Sequence, residues 1–138
     1  MCSPIPPAQG FVLVSNALLD NRRGVVAIVD DDPGVLDSLK FLLELAGHVV
    51  STYTSAAAFL EDRDTQPACL VLDYFMPQMT GLDLVARLRL DGVNLPVLLI
   101  TSAPSPVIVA RAAQLGIDKV LEKPPDERDL LLFLDAHC

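Results

Sequence analysis

The sequence predicts a single doubly wound α/β domain, in which helices cover both faces of a parallel sheet. Between residues 24 and 136, short apolar runs alternate five times with segments whose apolar residues recur at helical spacing. The clearest runs are continuously apolar, which is typical of strands buried on both faces. Strict alternation of strand and helix favours parallel strands joined by right-handed crossovers.

The first two strand–helix pairs have clear boundary signals. Strand one is Val25–Val29, and the next helix starts at Pro33, a residue favoured in the first turn, and ends at Gly47. Strand two follows at about 49–53, and Ser55 caps a short helix after it. The apolar residues at helical spacing in the first helix are Leu36, Leu39, Leu42, Leu43 and Ala46.

The other three pairs complete the domain, which is expected to span residues 24–138. They are predicted at 68–72 and 80–91, at 96–100 and 105–115, and at 119–121 and 126–136. Residues 1–23 form an N-terminal extension, in which the apolar stretches 11–14 and 17–19 could dock at a place that the sequence does not indicate.

Composition limits the classes of function. A net charge of −8 gives no basic surface for nucleic acid or anionic membranes, so neither is expected as a partner. No apolar run approaches the roughly 20 residues of a membrane span, and the start of the chain lacks the pattern of a signal peptide, so the cytoplasm is the expected location. Cys2, Cys69 and Cys138 have no C-x-x-C spacing and are expected to be free thiols, with Cys69 packed in a strand.

Acidic side chains stand where two apolar strands end. Asp30, Asp31 and Asp32 follow strand one, and Asp73 follows strand three. Ligands of open parallel sheets bind beyond the carboxyl ends of the strands. Carboxylates about 4 Å apart repel each other by roughly 4 kcal/mol at an effective dielectric constant of 20, so such a cluster needs a cation. Hard oxygen ligands with room for water suit Mg²⁺.

Two further residues belong to the same predicted edge. Thr101 ends strand four and Lys123 ends strand five, so they meet the acids if strands one, three, four and five are neighbours. A carboxylate can attack phosphorus to form an acyl phosphate, and a metal ion with the Lys123 ammonium would offset the repulsion between the anions. The Thr101 hydroxyl can donate a hydrogen bond to the new phosphoryl oxygen. Each residue alone also fits a plainer role as a cap, a turn residue or a strand-end hydroxyl.

Taken together, these segments resemble the response-regulator receiver domain of two-component signalling, a chemotaxis-regulator-like receiver. The resemblance covers residues 24 to about 136 and is nearest the subgroup that precedes a helix-turn-helix output domain, of which no part is expected before residue 138. It rests on four segments: Ile-Val-Asp-Asp-Asp at 28–32, Leu-Asp-Tyr-Phe-Met-Pro-Gln-Met-Thr-Gly at 72–81, Ile-Thr-Ser at 100–102 and Glu-Lys-Pro at 122–124.

The resemblance implies a phosphoacceptor and a metal site. Asp73 would accept the phosphoryl group, and Asp30 and Asp31 would hold Mg²⁺, with Mn²⁺ as an alternative ion. Asp31 would bind the metal directly and Asp30 mainly through water. The backbone carbonyl of Phe75 would be a third protein ligand. Asp32 is left outside the metal site.

The resemblance also implies the signalling role and the fold. Thr101 would be the switch hydroxyl, Lys123 would contact the phosphoryl group, and the Lys123–Pro124 peptide would be cis. The sheet order would be 2-1-3-4-5, the order of flavodoxin-like folds, to which receivers are known to belong. The implied function is a phosphorelay from a sensor histidine kinase or a phosphotransfer protein. Turnover beyond self-phosphorylation and autodephosphorylation is not expected.

The last two helices carry more apolar residues than one sheet-facing side needs. Surplus apolar surface is expected around Ile108, Val120 and Leu131, and exposed patches of that kind often mark interfaces. Members of the resembled family use helix four, strand five and helix five for dimers and output contacts, so self-association through this face is expected. Extra apolar residues scattered over a small domain are the plainer alternative.

Three positions depart from the pattern of that family. Val120 stands where an aromatic ring usually switches, and its β-branched side chain has little to swing. Phe75 occupies a slot that is more often polar or basic, and Pro125 replaces an aromatic residue. None of these changes removes a reactive group, so they affect the signal output and not the phosphorylation chemistry.

Three alternatives compete with this interpretation. A haloacid-dehalogenase-type phosphohydrolase needs an acid two residues after its nucleophile, where this chain has Phe75. A flavin carrier needs a Ser/Thr/Gly-rich phosphate loop, which Asp30–Asp32 would oppose. A receiver-like module that binds proteins without phosphorylation remains open, and retention of all the site residues argues against it.

Overall fold

The computed structural model describes residues 24–138, in which five strands and five helices alternate. The strands are β1 (Val25–Val29), β2 (Val49–Tyr53), β3 (Pro67–Asp73), β4 (Val97–Thr101) and β5 (Lys119–Glu122). The helices are α1 (Pro33–Leu45), α2 (Ala56–Glu61), α3 (Gly81–Leu90), α4 (Pro106–Gln114) and α5 (Glu127–His137). The predicted extension at residues 1–23 lies outside the described residues.

The strands form one parallel sheet in the order β2-β1-β3-β4-β5, which confirms the predicted fold and strand order. The register pairs Val29 with Leu72 and Asp73 with Ile100, so β1 and β3 end side by side. In the structure β3 and β4 each extend one residue beyond the predicted end, so that Asp73 and Thr101 are the last residues of their strands. The sheet edge predicted for the site therefore exists.

Local side-chain hydrogen bonds fix the helix ends. Asp32 caps α1, because its carboxylate accepts from the Gly34 amide at 2.9 Å. Thr80 and Asp83 form a reciprocal capping box at the start of α3, with bonds of 3.2 and 3.1 Å. Gly47 follows α1 with a φ of +94°, a conformation that favours glycine, as the sequence predicted for this helix end.

The core lies on both faces of the sheet. On one face α1 and α5 pack against β1, β3 and β4, and on the other face α2, α3 and α4 cover the alternate side chains of the strands. All five residues of β4 are buried. Burying one leucine or valine side chain contributes about 1.5–3 kcal/mol, so this double layer is the main source of stability.

The predicted apolar patch around Ile108, Val120 and Leu131 is not centred on those residues. Those three side chains are partly buried against the core. The exposed large apolar side chains of this region are instead Val107 and Leu132, at 77% and 55% exposure, with Val109 half exposed. A helix that is apolar on nearly every side does not reveal from sequence which side meets the sheet.

The prediction of three free thiols is wrong for two of the cysteines. Cys69 in β3 and Cys138 after α5 form a disulfide, with 5.7 Å between their Cα atoms. The fold causes this pairing, because it lays the end of α5 against the central strand. The two residues are 69 positions apart, and no local pattern relates them. Cys2 lies outside the described residues.

Within residues 24–138, no helix is both long enough and apolar enough to cross a membrane.

Candidate functional site

Asp73 lies at the carboxyl end of the central strand and is almost fully buried, with 5% of its surface exposed. Its position is fixed by pairing with the backbone of β4. It pairs with Ile100 in the register of β3 and β4, and the next amide, of Tyr74, donates to the Ile100 carbonyl at 2.8 Å. The carboxylate therefore stands at the sheet edge on a rigid support.

Two acids from the loop after β1 lie beside Asp73. Carboxylate oxygens of Asp30, Asp31 and Asp73 all fall within 4.8 Å of one another. Asp30 is buried, its amide donates to the Tyr53 carbonyl at 3.1 Å, and its carboxylate accepts from the Asp32 amide at 2.9 Å. Asp31 is exposed, so the triplet opens to solvent on one side.

Lys123 brings a positive charge to this cluster from the loop after β5. Its ammonium nitrogen lies 3.0 Å from Asp30 Oδ2 and 3.3 Å from Asp73 Oδ1. The Lys123 amide donates to the Thr101 carbonyl at 2.9 Å, which aligns the lysine with the end of β4. The Lys123–Pro124 peptide is cis, as the resemblance implied. The predicted meeting of Asp30, Asp73 and Lys123 is thus observed as direct contacts.

The charges in the site are strongly coupled. Burial, together with the charge of Asp30, raises the pKa of Asp73 to about 6, and Lys123 offsets part of that rise. Burial lowers the pKa of Lys123, but its hydrogen bond to Asp30 and the charges of Asp30 and Asp73 outweigh burial, so this pKa lies above its usual value. The site therefore holds more negative charge than one lysine neutralises.

Thr101 directly follows Ile100, the β4 partner of Asp73, and Phe75 is two residues after Asp73. Thr101 is fully buried, and its hydroxyl oxygen accepts a hydrogen bond from the Ala103 amide at 3.3 Å. A hydroxyl can accept one hydrogen bond and donate another, so the Thr101 O–H can still donate to a different acceptor. The Phe75 ring is half exposed and meets the ring of Tyr74 edge-on, with 4.7 Å between centroids.

Gly81 also positions the site, a role that the sequence did not reveal. A Cβ atom at Gly81 would lie 2.6 Å from the Asp73 carbonyl oxygen and 2.8 Å from Leu99 Cδ1. The Gly81 amide also donates to the Tyr74 carbonyl at 2.9 Å. Only a residue without a side chain lets α3 start so close to the end of β3. The one signal in the sequence was its place at the end of the 72–81 segment.

A groove of about 840 Å³ opens beside the site, between α1 and the Lys123–Pro125 turn. Its lining is apolar along α1, through Val35, Leu39 and Leu42. Asp32 and Lys123 also line the groove, and Lys123 contacts Asp30 and Asp73 of the acidic cluster. A protein surface that docks in this groove would approach the acids.

The donor set fits a divalent cation. Three carboxylates within 4.8 Å provide hard oxygen ligands, and the exposure of Asp31 leaves room for water. Burial, followed by the charge of Asp30, raises the pKa of Asp73 even beside Lys123, and the cluster places three carboxylates near one ammonium. These observations together favour a small, hard cation, which would lower the pKa of Asp73 again.

Comparisons with known proteins agree with this geometry. The family model described as the response regulator receiver domain matches residues 26–135. The transcriptional regulatory protein FixJ of Azorhizobium caulinodans is 38% identical over 116 residues, which cover 80% of this chain and 53% of FixJ. The response regulator protein TodT of Pseudomonas putida is 33% identical over 114 residues, covering 82% of this chain and 50% of TodT. The chain thus spans about half the length of these curated relatives.

Solved structures show the same architecture. A structure described as the response regulator StyR superposes with a TM-score of 0.76 at 37% identity, covering 82% of this chain and 58% of that one. The signal receiver domain of an HD domain-containing protein from Pseudomonas fluorescens Pf-5 superposes with a TM-score of 0.78 at 27% identity, covering 84% and 94% of the two chains.

Proposed function

This chain belongs to the response regulator receiver family of two-component signal transduction, and we propose that it accepts a phosphoryl group on Asp73. The observation that carries this proposal is the contact of the Lys123 ammonium with two buried carboxylates, Asp30 and Asp73, at the ends of neighbouring strands. A lysine held between two acids provides a cationic contact for phosphoryl oxygens next to a nucleophilic carboxylate.

In the proposed reaction, a carboxylate oxygen of Asp73 attacks phosphorus. The bond between phosphorus and the donor breaks, and the donor leaves with the bonding electron pair, which produces an acyl phosphate on Asp73. Because the pKa of Asp73 is about 6, the carboxylate is mostly ionised and nucleophilic above neutral pH. Lys123 would follow the transferred group and hold one of its oxygens. The Thr101 hydroxyl would donate to another of them.

The residues that would hold Mg²⁺, or Mn²⁺ instead, are Asp30, Asp31 and Asp73, with the backbone carbonyl of Phe75 as a further ligand. The ion would supply positive charge against the repulsion between the carboxylates and the phosphoryl donor. Asp32 is not assigned to the metal, since its carboxylate caps α1 by accepting from the Gly34 and Val35 amides.

The phosphodonor that fits this site best is a sensor histidine kinase or a phosphotransfer protein, which would place the reaction in the cytoplasm. Support comes from the groove between α1 and Pro124, because it combines an apolar wall with Lys123, the residue that contacts the acids. Small acyl phosphates would serve as artificial donors. Autodephosphorylation by water would end the signal.

For the output, we propose self-association through the face formed by α4, β5 and α5. Val107 and Val109 on α4 are exposed, as is Leu132 on α5, and a groove of about 460 Å³ lies between α4 and β5. Exposed apolar side chains often mark an interface. Val120 lies in that groove and cannot swing like an aromatic ring, so a partial response is expected.

A module that binds partners without phosphorylation is the competing candidate. The same α4–β5–α5 face favours it, because the exposed side chains of Val107 and Leu132 could contact a partner directly. Phosphorylation of Asp73 decides between the two.

The test is incubation with acetyl phosphate and Mg²⁺, followed by intact-mass measurement of wild type, Asp73→Asn and Asp37→Asn. Asp37 is an exposed acid on α1 and serves as the matched control. We expect one added phosphoryl group, removed by hydroxylamine, in wild type and Asp37→Asn only. An adduct that Asp73→Asn retains, or one that resists hydroxylamine, would refute the assignment. No adduct in any protein would favour the binding module.

A further inference from the structure

A covalent link joins the central strand to the end of the last helix. Cys69 is fully buried in β3, and Cys138 is a half-buried residue directly after α5. The Cα atoms lie 5.7 Å apart, within the usual range for a disulfide. The bond lies on the sheet face that α1 and α5 cover, away from the acidic cluster.

The disulfide secures a helix end that has few other apolar contacts. Leu130, Phe133 and Leu134 bury the body of α5 against the sheet, but Asp135, Ala136 and His137 are all exposed. Beyond Leu134, Cys138 packs against this apolar cluster, and the His137 ring lies 4.7 Å from the Phe133 ring. The disulfide therefore adds a covalent attachment to a helix turn whose side chains are mostly exposed.

We propose that Cys69 and Cys138 form a reversible thiol–disulfide switch that controls whether the last turn of α5 is fastened to β3. The oxidant would be a low-molecular-weight disulfide of the glutathione class. The Cys138 thiolate attacks one sulfur of that disulfide, a mixed disulfide forms, and one thiol leaves. The Cys69 thiolate then attacks the Cys138 sulfur, and the second thiol leaves. Two protein thiols are oxidised and one small disulfide is reduced to two thiols, so atoms and electrons balance.

The unequal burial of the two cysteines sets the order of these steps. Reaction with a small disulfide requires access, and Cys138 is the more exposed of the pair, at the end of a helix. Cys69 has no exposed surface, so it is suited to resolve the mixed disulfide from inside. Reduction would run the same exchange backwards with a small thiol. Opening only the last turn of α5 would give the thiol access to the bond.

The bond closes a loop of the chain that includes Thr101, Lys123 and the whole α4–β5–α5 face. Closing a loop between residues 69 positions apart restricts the unfolded chain and stabilises the fold. We expect oxidation to raise the melting temperature by about 10 °C. We also expect slower hydrogen exchange in the last turn of α5. The switch would thus act on a helix that forms part of the proposed output face, with no change in the acids.

The test uses the full chain equilibrated in glutathione buffers from fully reduced to fully oxidised. One portion of each sample is melted in its own buffer, and in another portion the free thiols are alkylated in denaturant after acid quenching, for intact mass and peptide maps. Cys138→Ser removes the half-buried member of the disulfide. Cys2→Ser is the matched control, because it leaves Cys69 and Cys138 in place. Comparison of reduced and oxidised wild type tests the same point without any substitution.

A reversible transition in wild type and Cys2→Ser, with Cys69 and Cys138 in one linked peptide and a higher melting temperature, would support the switch. The transition should be absent in Cys138→Ser. The proposal is overturned if both thiols stay free at every ratio, or if the link forms to Cys2. It is also overturned if the bond is reduced only after denaturation, because the disulfide would then be a structural cross-link that does not open in the folded protein.

Discussion

The Lys123 ammonium nitrogen lies 3.3 Å from an oxygen of Asp73, at the meeting point of two strand ends that are distant in sequence. Asp73 is buried, so its charged form is disfavoured, and Lys123 recovers only part of that cost. As a result, the pKa of Asp73 is about 6. The carboxylate is mostly ionised at slightly alkaline pH, but its charged form is less stable than that of an aspartate in water.

Lys123→Met should raise the pKa of Asp73 further, because Lys123 is the cation that lowers it. It should also reduce the free energy of unfolding at a pH of about 8 by about 1–3 kcal/mol, since it leaves buried carboxylates unpaired. Lys119→Met, at an exposed lysine in β5, is the control. Carbon-detected NMR titration of Asp73 and urea unfolding measure the two effects. An unchanged Asp73 titration would contradict the assigned contact.

Without divalent cations, stability should fall as the pH rises from about 4 to 6. The folded pKa of Asp73, about 6, lies above its ordinary value of 3.8, so the folded state binds a proton that the unfolded state has already lost. The contribution of this group is therefore present at low pH and lost as the pH rises through the folded pKa, by up to about 3 kcal/mol. Urea unfolding across this range should show the decline in wild type and a weaker one in Asp73→Asn. Equal slopes in both proteins would refute it.

Asp31→Ala and Asp32→Ala should separate metal binding from helix capping. Asp31 belongs to the acidic triplet, so its loss should weaken Mg²⁺ binding by about tenfold or more with little effect on stability. Asp32 caps α1, so its loss should cost about 1 kcal/mol of stability and leave Mg²⁺ binding nearly unchanged. Calorimetric titration and urea unfolding measure the pair. Equal losses of affinity would mean that the roles within the acidic run are misassigned.

Gly81→Ala should destabilise the fold by about 1–3 kcal/mol, because the new Cβ would lie 2.6 Å from the Asp73 carbonyl oxygen. It should also slow phosphorylation by acetyl phosphate, since relief of the clash would shift the end of β3. Gly34→Ala is the control, where the nearest atom, Asp32 Oδ1, lies 3.3 Å from the added Cβ. Urea unfolding and the rate of mass gain measure the two effects. If both variants behave like wild type, Gly81 has no positioning role.

Addition of beryllofluoride, a phosphoryl mimic, should shift the protein partly towards dimers, and Val107→Ser should reduce that shift. A complete change from about 1:99 to 99:1 needs about 5.5 kcal/mol of differential binding, more than one or two new hydrogen bonds provide. Leu90→Ser, at a side chain that is 85% exposed on α3, is the control. Sedimentation velocity with and without the mimic measures the distribution. An unchanged distribution in wild type would show that this face does not respond to the site.

Much of the fold and the site could be predicted from local patterns. Continuous apolar strands, Pro33 at a helix start and Gly47 after a helix end are properties of short segments, and the structure keeps them all. Strand-end acids could be grouped correctly because parallel strands all point their carboxyl ends to one edge. Asp30, Asp31 and Asp73 accordingly lie together. The roles of these residues in phosphorylation stay predictions until they are tested.

The tertiary structure alone decided what depends on distances across the fold. The Cys69–Cys138 bond, the close approach of Gly81 to Asp73 and the exposure of Val107 all arise from how helices settle on the sheet. The raised pKa of Asp73 has the same origin, because desolvation is a property of the packed site. Sequence spacing fixes which residues share a helix face or a strand end, whereas packing determines which of those faces meet and which remain in water.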